Sequence, residues 1–171
     1  MSHENIPLEI EIRGAALKVS VTLERIIMMI IYASNAQQYI VKNSKYLKLE
    51  YLTFAGKISR LKEVLVKFHP DLLVKYSMIF DNLNTFKKFR DKMAHCSFEW
   101  EYSTVKFDII ENVEDETGFQ YYKAFPYSVV QARLATVDGA ALTVPLLQLS
   151  SEIILRLKNH HPNVYASLGL G

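Results

Sequence analysis

At 171 residues, half of them hydrophobic and 22% charged, the chain is long enough to bury a core without covalent staples and has the balance of a globular protein. A net charge of +2 excludes a global electrostatic field for nucleic acid, so any such binding has to be local. Cys96 is the only cysteine, which excludes an internal disulfide and points to a reducing compartment.

The opening Met1-Ser2-His3-Glu4-Asn5 lacks the basic start of a signal peptide. The greasiest run, Ile26 to Ala33, is eight residues long, against about 20 for a membrane span. These features predict a soluble, cytoplasmic protein with no membrane partner.

Leu8, Ile10 and Ile12 alternate with Glu9, Glu11 and Arg13 in a strand-like way, which leaves residues 6–13 open. From about Gly14 the period is helical: Val19, Leu23, Ile26, Ile27, Ile30 and Ala33 recur at three- and four-residue steps. Lys42-Asn43-Ser44-Lys45 breaks the pattern. A second helix carries Phe54, Ile58, Leu61, Leu65 and Phe68 and stops at His69-Pro70. Pro70 suits the first turn of a third helical segment, because its missing N–H would lack a partner there. That segment turns Leu73, Tyr76, Ile79, Phe80, Leu83, Phe86, Phe89 and Met93 inward; Asn82 and Asn84 are candidates for a slight break, but the apolar stripe continues through them.

After Cys96 the period falls to two. Phe98, Trp100 and Tyr102, then Val105, Phe107 and Ile109, alternate with polar residues. Glu114-Asp115-Glu116-Thr117-Gly118 is a turn cluster, and Phe119 to Phe125 reads as the returning strand. Ser128 and Gln131 form a capping-box signature at the start of a last helix, which extends to about Lys158 and is disturbed by Gly139 and Pro145. The rival reading makes Asp138-Gly139 a hairpin turn. The expected fold is mainly α: one domain over 1–171, a helical core at about 14–96 and 126–160, and a small antiparallel β-hairpin or meander at about 97–125, before the last helix.

The most informative stretch is Arg90-Asp91-Lys92-Met93-Ala94-His95. Cleaving an RNA phosphodiester needs a proton-transfer group and a permanent cation; histidine and arginine supply these. Five helical steps put the two roughly 140° apart. They converge only if the helix ends or distorts between them, or if two copies meet across a symmetric dimer. With 6 arginines and 5 histidines, random placement gives this spacing about 0.2 times per chain. It occurs twice, so spacing alone is weak. The second copy, Arg156-Leu157-Lys158-Asn159-His160-His161, runs into Pro162 and a tail expected to fray. Around the first, Lys87, Lys88, Arg90 and Lys92 form a basic strip able to hold an RNA backbone, though such strips are commonly just solvated faces. Lys87 and Asp91, four residues apart, also suit a surface ion pair.

Elsewhere, His69 before Pro70 reads as a junction residue. His160-His161 lack a third metal ligand, Glu114-Asp115-Glu116 reads as a solvated turn, and Cys96 as a small helix-end side chain. No phosphate-binding glycine loop, serine elbow or zinc spacing is present. No cofactor and no metal are expected.

Arg90-Asp91-Lys92-Met93-Ala94-His95 resembles the Arg-x4–6-His motif of HEPN (higher eukaryotes and prokaryotes nucleotide-binding) domains, including the polar residue after the arginine and the Ala-His ending near the close of a third main helix. The resemblance covers roughly residues 14–96 plus the last helix and implies an up-and-down helical bundle with the strands as an insertion. It also implies a homodimer whose two motifs share one cleft, and a metal-independent endoribonuclease of toxin–antitoxin or phage-defence type. By that resemblance, Arg90 would hold the scissile phosphate of an RNA substrate. His95 would be the general acid–base while the ribose 2′-hydroxyl attacks, and Asp91 would orient one of them or touch RNA. Lys87, Lys88 and Lys92 would flank the RNA. Antitoxin or nucleotidyltransferase partners belong to the same expectation, as does the alternative of a non-catalytic interaction or nucleotide-binding module.

Overall fold

The computed structural model describes residues 5–36, 49–102 and 104–167. It is mainly helical with one small antiparallel sheet. The helices are α1 (Ile6–Ser34), α2 (Phe54–Phe68), α3 (Pro70–Lys75), α4 (Ser77–His95), α5 (Val129–Ala141), α6 (Thr143–His160) and α7 (Pro162–Ser167). The strands are β1 (Ser97–Trp100), β2 (Lys106–Glu114) and β3 (Gln120–Ser128), and a single 3₁₀ turn covers Leu49–Tyr51. The expected break at Lys42–Lys45 lies outside the described residues. The chain forms two compact units, one from residues 1–20 and 85–140, the other from 21–84 and 141–171.

In the first unit, residues 6–13 are helix rather than strand. Ile12 and Ala16, one helical turn apart, are buried, while Ile10 is 65% exposed, so the apparent alternation was incidental. Glu9 and Arg13 pair across one turn at 2.7 Å. The sheet is a meander of order β1-β2-β3. Its register sets Phe98 opposite Ile109 and Trp100 opposite Phe107, with Phe107 opposite Tyr127 on the other side. Phe98, Phe107 and Ile109 are buried on one face, and the Phe98 and Phe107 rings lie 4.4 Å apart. At the β2–β3 turn, Asp115 accepts from the backbone N–H groups of Thr117 and Phe119, and Gly118 takes φ of 82°, which a side chain would disfavour. β3 runs to Ser128, three residues beyond the expected end.

The capping box forms as read: the Ser128 N–H donates to Gln131 Oε1 at 2.8 Å, and the Gln131 N–H donates to Ser128 Oγ at 3.0 Å. Asp138-Gly139 stays helical, so the hairpin alternative does not occur. A Cβ on Gly139 would lie 2.2 Å from the Phe86 ring, so the glycine lets α5 approach that ring closely.

In the second unit, Leu23, Ile27, Ile30, Leu61, Leu65, Leu72, Leu146, Leu149 and Ile153 are buried, and Lys57 meets Glu24 at 2.5 Å within this interior. Thr53 caps α2 by accepting from the Gly56 N–H at 3.2 Å. The third helical segment breaks at Tyr76, while at Asn82 and Asn84 the helix continues with the apolar stripe and the slight break does not occur. Those asparagines face solvent on an unbroken helix, while the Tyr76 hydroxyl is drawn to Glu152 at 2.5 Å. The single last helix is two, divided at Leu142, with Pro145 in the opening turn of α6. The tail is not frayed directly after Pro162: α7 starts there.

By length and mean hydropathy (1.3), the stretch Val129–His160 passes the test for a membrane span, and a third of its window is buried inside the protein. It holds no long uninterrupted apolar run, because polar residues are interspersed along it. Core helices of soluble proteins meet the same test, and Leu146, Leu149, Ile153 and Leu157 are buried core.

Candidate functional site

α4 reaches His95 without interruption, and the Cys96 N–H still bonds the Lys92 carbonyl at 3.0 Å. Arg90 and His95 therefore keep their wide helical separation, about 140° around the axis. Of the two routes to convergence, distortion of the helix between them is closed; pairing of two copies remains.

Helix α4 owes its firm end to Arg13 of α1. The Arg13 guanidinium donates through Nη1 to the Met93 carbonyl and through Nη2 to the Cys96 carbonyl, the latter at 2.6 Å. Last-turn carbonyls lack partners within the helix, so a cation there satisfies both hydrogen bonding and the helix dipole. The same guanidinium lies 4.1 Å from the centre of the Phe98 ring, which ties the helix end to β1. Arg13 is a positioning residue that the sequence did not reveal. Its only signal was an arginine on the helix turn after Glu9.

Beside this end, Lys88, Asp91, Lys92, His95, Cys96, Ile110, Glu111 and Asn112 line a groove of about 490 Å³. His95 is exposed there. Asp91, Lys88 and Lys92 share the groove, but Arg90 and Lys87 are not among its walls. Arg90 Nη1 instead donates to Asp91 Oδ1 at 3.0 Å, and Lys87 Nζ donates to Asp91 Oδ2 at 2.6 Å. Partial burial pushes the Asp91 carboxyl up, but these two bonds outweigh it and hold its pKa below the ordinary value. Asp91 is thus an anionic link between the arginine and the groove.

The four cations do not make one exposed strip. Lys88 is exposed, whereas Lys87, Arg90 and Lys92 are each only partly so. Lys92 Nζ sits 3.7 Å over the Phe125 ring and 4.0 Å from Glu111. The β2–β3 hairpin supplies both partners, and no helix periodicity could have foretold them. Two lysines facing Asp91 and Glu111 leave the groove balanced in charge. Burial, with Glu111 nearby, pushes the Cys96 thiol up, so it is a poor nucleophile.

The second Arg-x4-His copy is also built into a site. Arg156 forks onto both carboxylate oxygens of Asp71, with Nη1 to Oδ1 at 2.9 Å. With His69, His160 and His161, Arg156 lines a separate cavity in the second unit. His69 and His161 each precede a proline and share one backbone shape, φ −143° and ψ 56° against φ −142° and ψ 60°, as a residue before proline avoids the helical region. Two His-Pro pairs were the available signal. Compared with protein-family models, curated proteins and solved structures, the chain matches none of them.

Proposed function

We propose that this chain is a metal-independent endoribonuclease of the HEPN type, working as a homodimer in the cytoplasm on single-stranded RNA. The observation that carries this reading is the unbroken end of α4: His95 opens onto a groove with Asp91, while Arg90 leans on Asp91 from outside it. On this unbroken helix the two side chains leave one protomer about 140° apart. Two motifs meeting across a two-fold axis supply an arginine from one chain and a histidine from the other.

In this reading His95 takes the 2′-hydroxyl proton as the oxygen attacks phosphorus. The P–O5′ bond breaks, a protonated group returns a proton to the leaving oxygen, and a 2′,3′-cyclic phosphate remains. Arg90 balances the added charge on the phosphorane oxygens, and Asp91 fixes its fork. Lys88 and Lys92 flank the strand. An antitoxin or a nucleotidyltransferase is the partner class the reading implies. The test is cleavage of single-stranded RNA by purified protein in chelator. Loss of cutting in both Arg90→Ala and His95→Ala supports the reading; retained cutting in both rejects it.

A second reading is favoured by the charge balance of the groove and by the commitment of Arg90 to Asp91. It is a non-catalytic HEPN module that dimerises and docks a partner. Saturable RNA or partner binding without turnover selects it.

A further inference from the structure

Between the end of α1, the α2–α3 corner and the end of α6 lies a cavity of about 530 Å³, within the usual range for a small-molecule pocket. Its apolar lining includes Phe68, Ile153 and Leu157. Among the described residues its polar lining is Ser34, His69, Arg156, His160 and His161, with no carboxylate among them. Two of the polar atoms, Ser34 Oγ and His69 Nε2, are shielded from solvent and have no hydrogen-bond partner among the described residues. Native interiors rarely leave such atoms unmet.

Arg156 spends Nη1 and Nη2 hydrogens on Asp71, yet a guanidinium has five N–H donors, so others remain. The Asp71 fork fixes it in place. The two His-Pro corners, His69 and His161, hold their backbones alike and bring an imidazole each to the same space. Among the described residues no group of three His, Cys, Asp or Glu could hold a metal ion, so these imidazoles are not a metal cage.

We infer that this cavity binds a small organic anion, with a carboxylate or phosphate head against Arg156, Ser34 and the histidines and an aromatic or hydrocarbon body over Phe68, Ile153 and Leu157. The lining is rich in donors and poor in acceptors, which selects an acceptor head; the apolar surface selects a greasy body. This site is separate from the groove at His95 and does not depend on the nuclease reading.

Binding has to be coupled to protons. Burial lowers the His69 pKa, Arg156 lowers it further, and Asp71 opposes them. His160 of α6, His161 just beyond its end and the hydroxyl of Ser34 complete the polar surroundings among the described residues. An anion beside His69 acts against Arg156 and favours the imidazolium, so the complex takes up a proton and tightens as pH falls.

The experiment is isothermal titration of the full chain with phenylacetate, phenyl phosphate and neutral 2-phenylethanol. At least one anion is expected to bind one-to-one and at least about tenfold more tightly than the alcohol, since charge-assisted bonds distinguish them. Which anion wins names the head. Phenylacetate, whose own charge is constant from pH 6 to 8, should bind more tightly at pH 6, with buffer-dependent heats showing proton uptake. His69→Gln should reduce that pH dependence, and His161→Ala, at an exposed position, should weaken binding several-fold without moving the melting temperature. Equal affinity for alcohol and anions, no saturable binding of any probe, or unchanged binding and pH dependence in both folded variants would overturn the proposal.

Discussion

Two helix ends in this chain carry an arginine followed five positions later by a histidine, and they are wired differently. At the end of α4, Arg90 leans on its sequence neighbour Asp91, whose other oxygen takes Lys87. At the end of α6, Arg156 forks onto Asp71 from another helix, and the histidine forms a His-Pro corner. The first arrangement leaves the histidine exposed beside a charge-balanced groove; the second sets imidazoles around a cavity with an apolar side. Identical spacing therefore sits in two different surroundings. What decides is where the acidic partner comes from and what lies beyond the helix end.

The sharpest way to break this contrast is to mix two dead proteins. If each active site takes Arg90 from one subunit and His95 from the other, refolding Arg90→Ala with His95→Ala gives mixed dimers with one intact site. Half of the dimers are mixed and each keeps one site of two, so activity should return to about a quarter of wild type. Either variant alone should cut at least about 10²-fold more slowly. No recovery in demonstrably mixed dimers would mean that the two groups do not work across subunits.

Next in size is the support of the α4 end. Arg13→Ala strips two carbonyls of a charged donor and removes a cation from the Phe98 ring, a loss of about 2–4 kcal/mol. Urea unfolding measures it, and amide exchange at Cys96 should quicken. A change below about 0.5 kcal/mol would show that water replaces Arg13 without penalty.

Much of this architecture was legible because it depends on short-range rules. The shift from helical to two-residue period after Cys96 marked the meander, and Ser128 with Gln131 announced the start of α5. Residues 6–13 stayed open because Leu8, Ile10 and Ile12 alternate while Leu8 and Ile12 also lie one helical turn apart, and only tertiary packing shows that Ile12 is inside and Ile10 outside. Tyr76, where α3 ends, bonds through its hydroxyl to a glutamate 76 positions away, a contact that no local pattern can encode. The site divides in the same way. His95 at a helix end was readable, whereas Arg13 holding that end and Glu111 facing Lys92 come from distant segments.

Acid should separate the two aspartates. The Arg156 fork holds Asp71 at about 2 against 3.8, so its contribution to stability is full above the ordinary carboxylate range and is lost as pH falls through about 2. Asp91 is also lowered, so its contribution fades in the same direction. Asp71 is the more exposed of the pair, so added salt should erase its share first. Melting temperatures from pH 6 to pH 2, at low and high salt, check this. Asp71→Asn should flatten the acid limb at low salt only; an unchanged limb would mean that the fork does not persist in solution.

The smallest expected effect bears directly on whether RNA lies in the groove. Glu111 faces Lys92 at 4.0 Å and cancels charge that a phosphate needs. At that range, in a water-like medium, one unit charge is worth about 1 kcal/mol, so Glu111→Gln should tighten single-stranded RNA binding about two- to fivefold. The salt dependence should steepen as well, because one more lysine is released to meet phosphate. Lys92→Gln should do the reverse. If neither substitution moves the affinity or its salt slope, the strand passes elsewhere, and His95 loses the surface that would bring a phosphate to it.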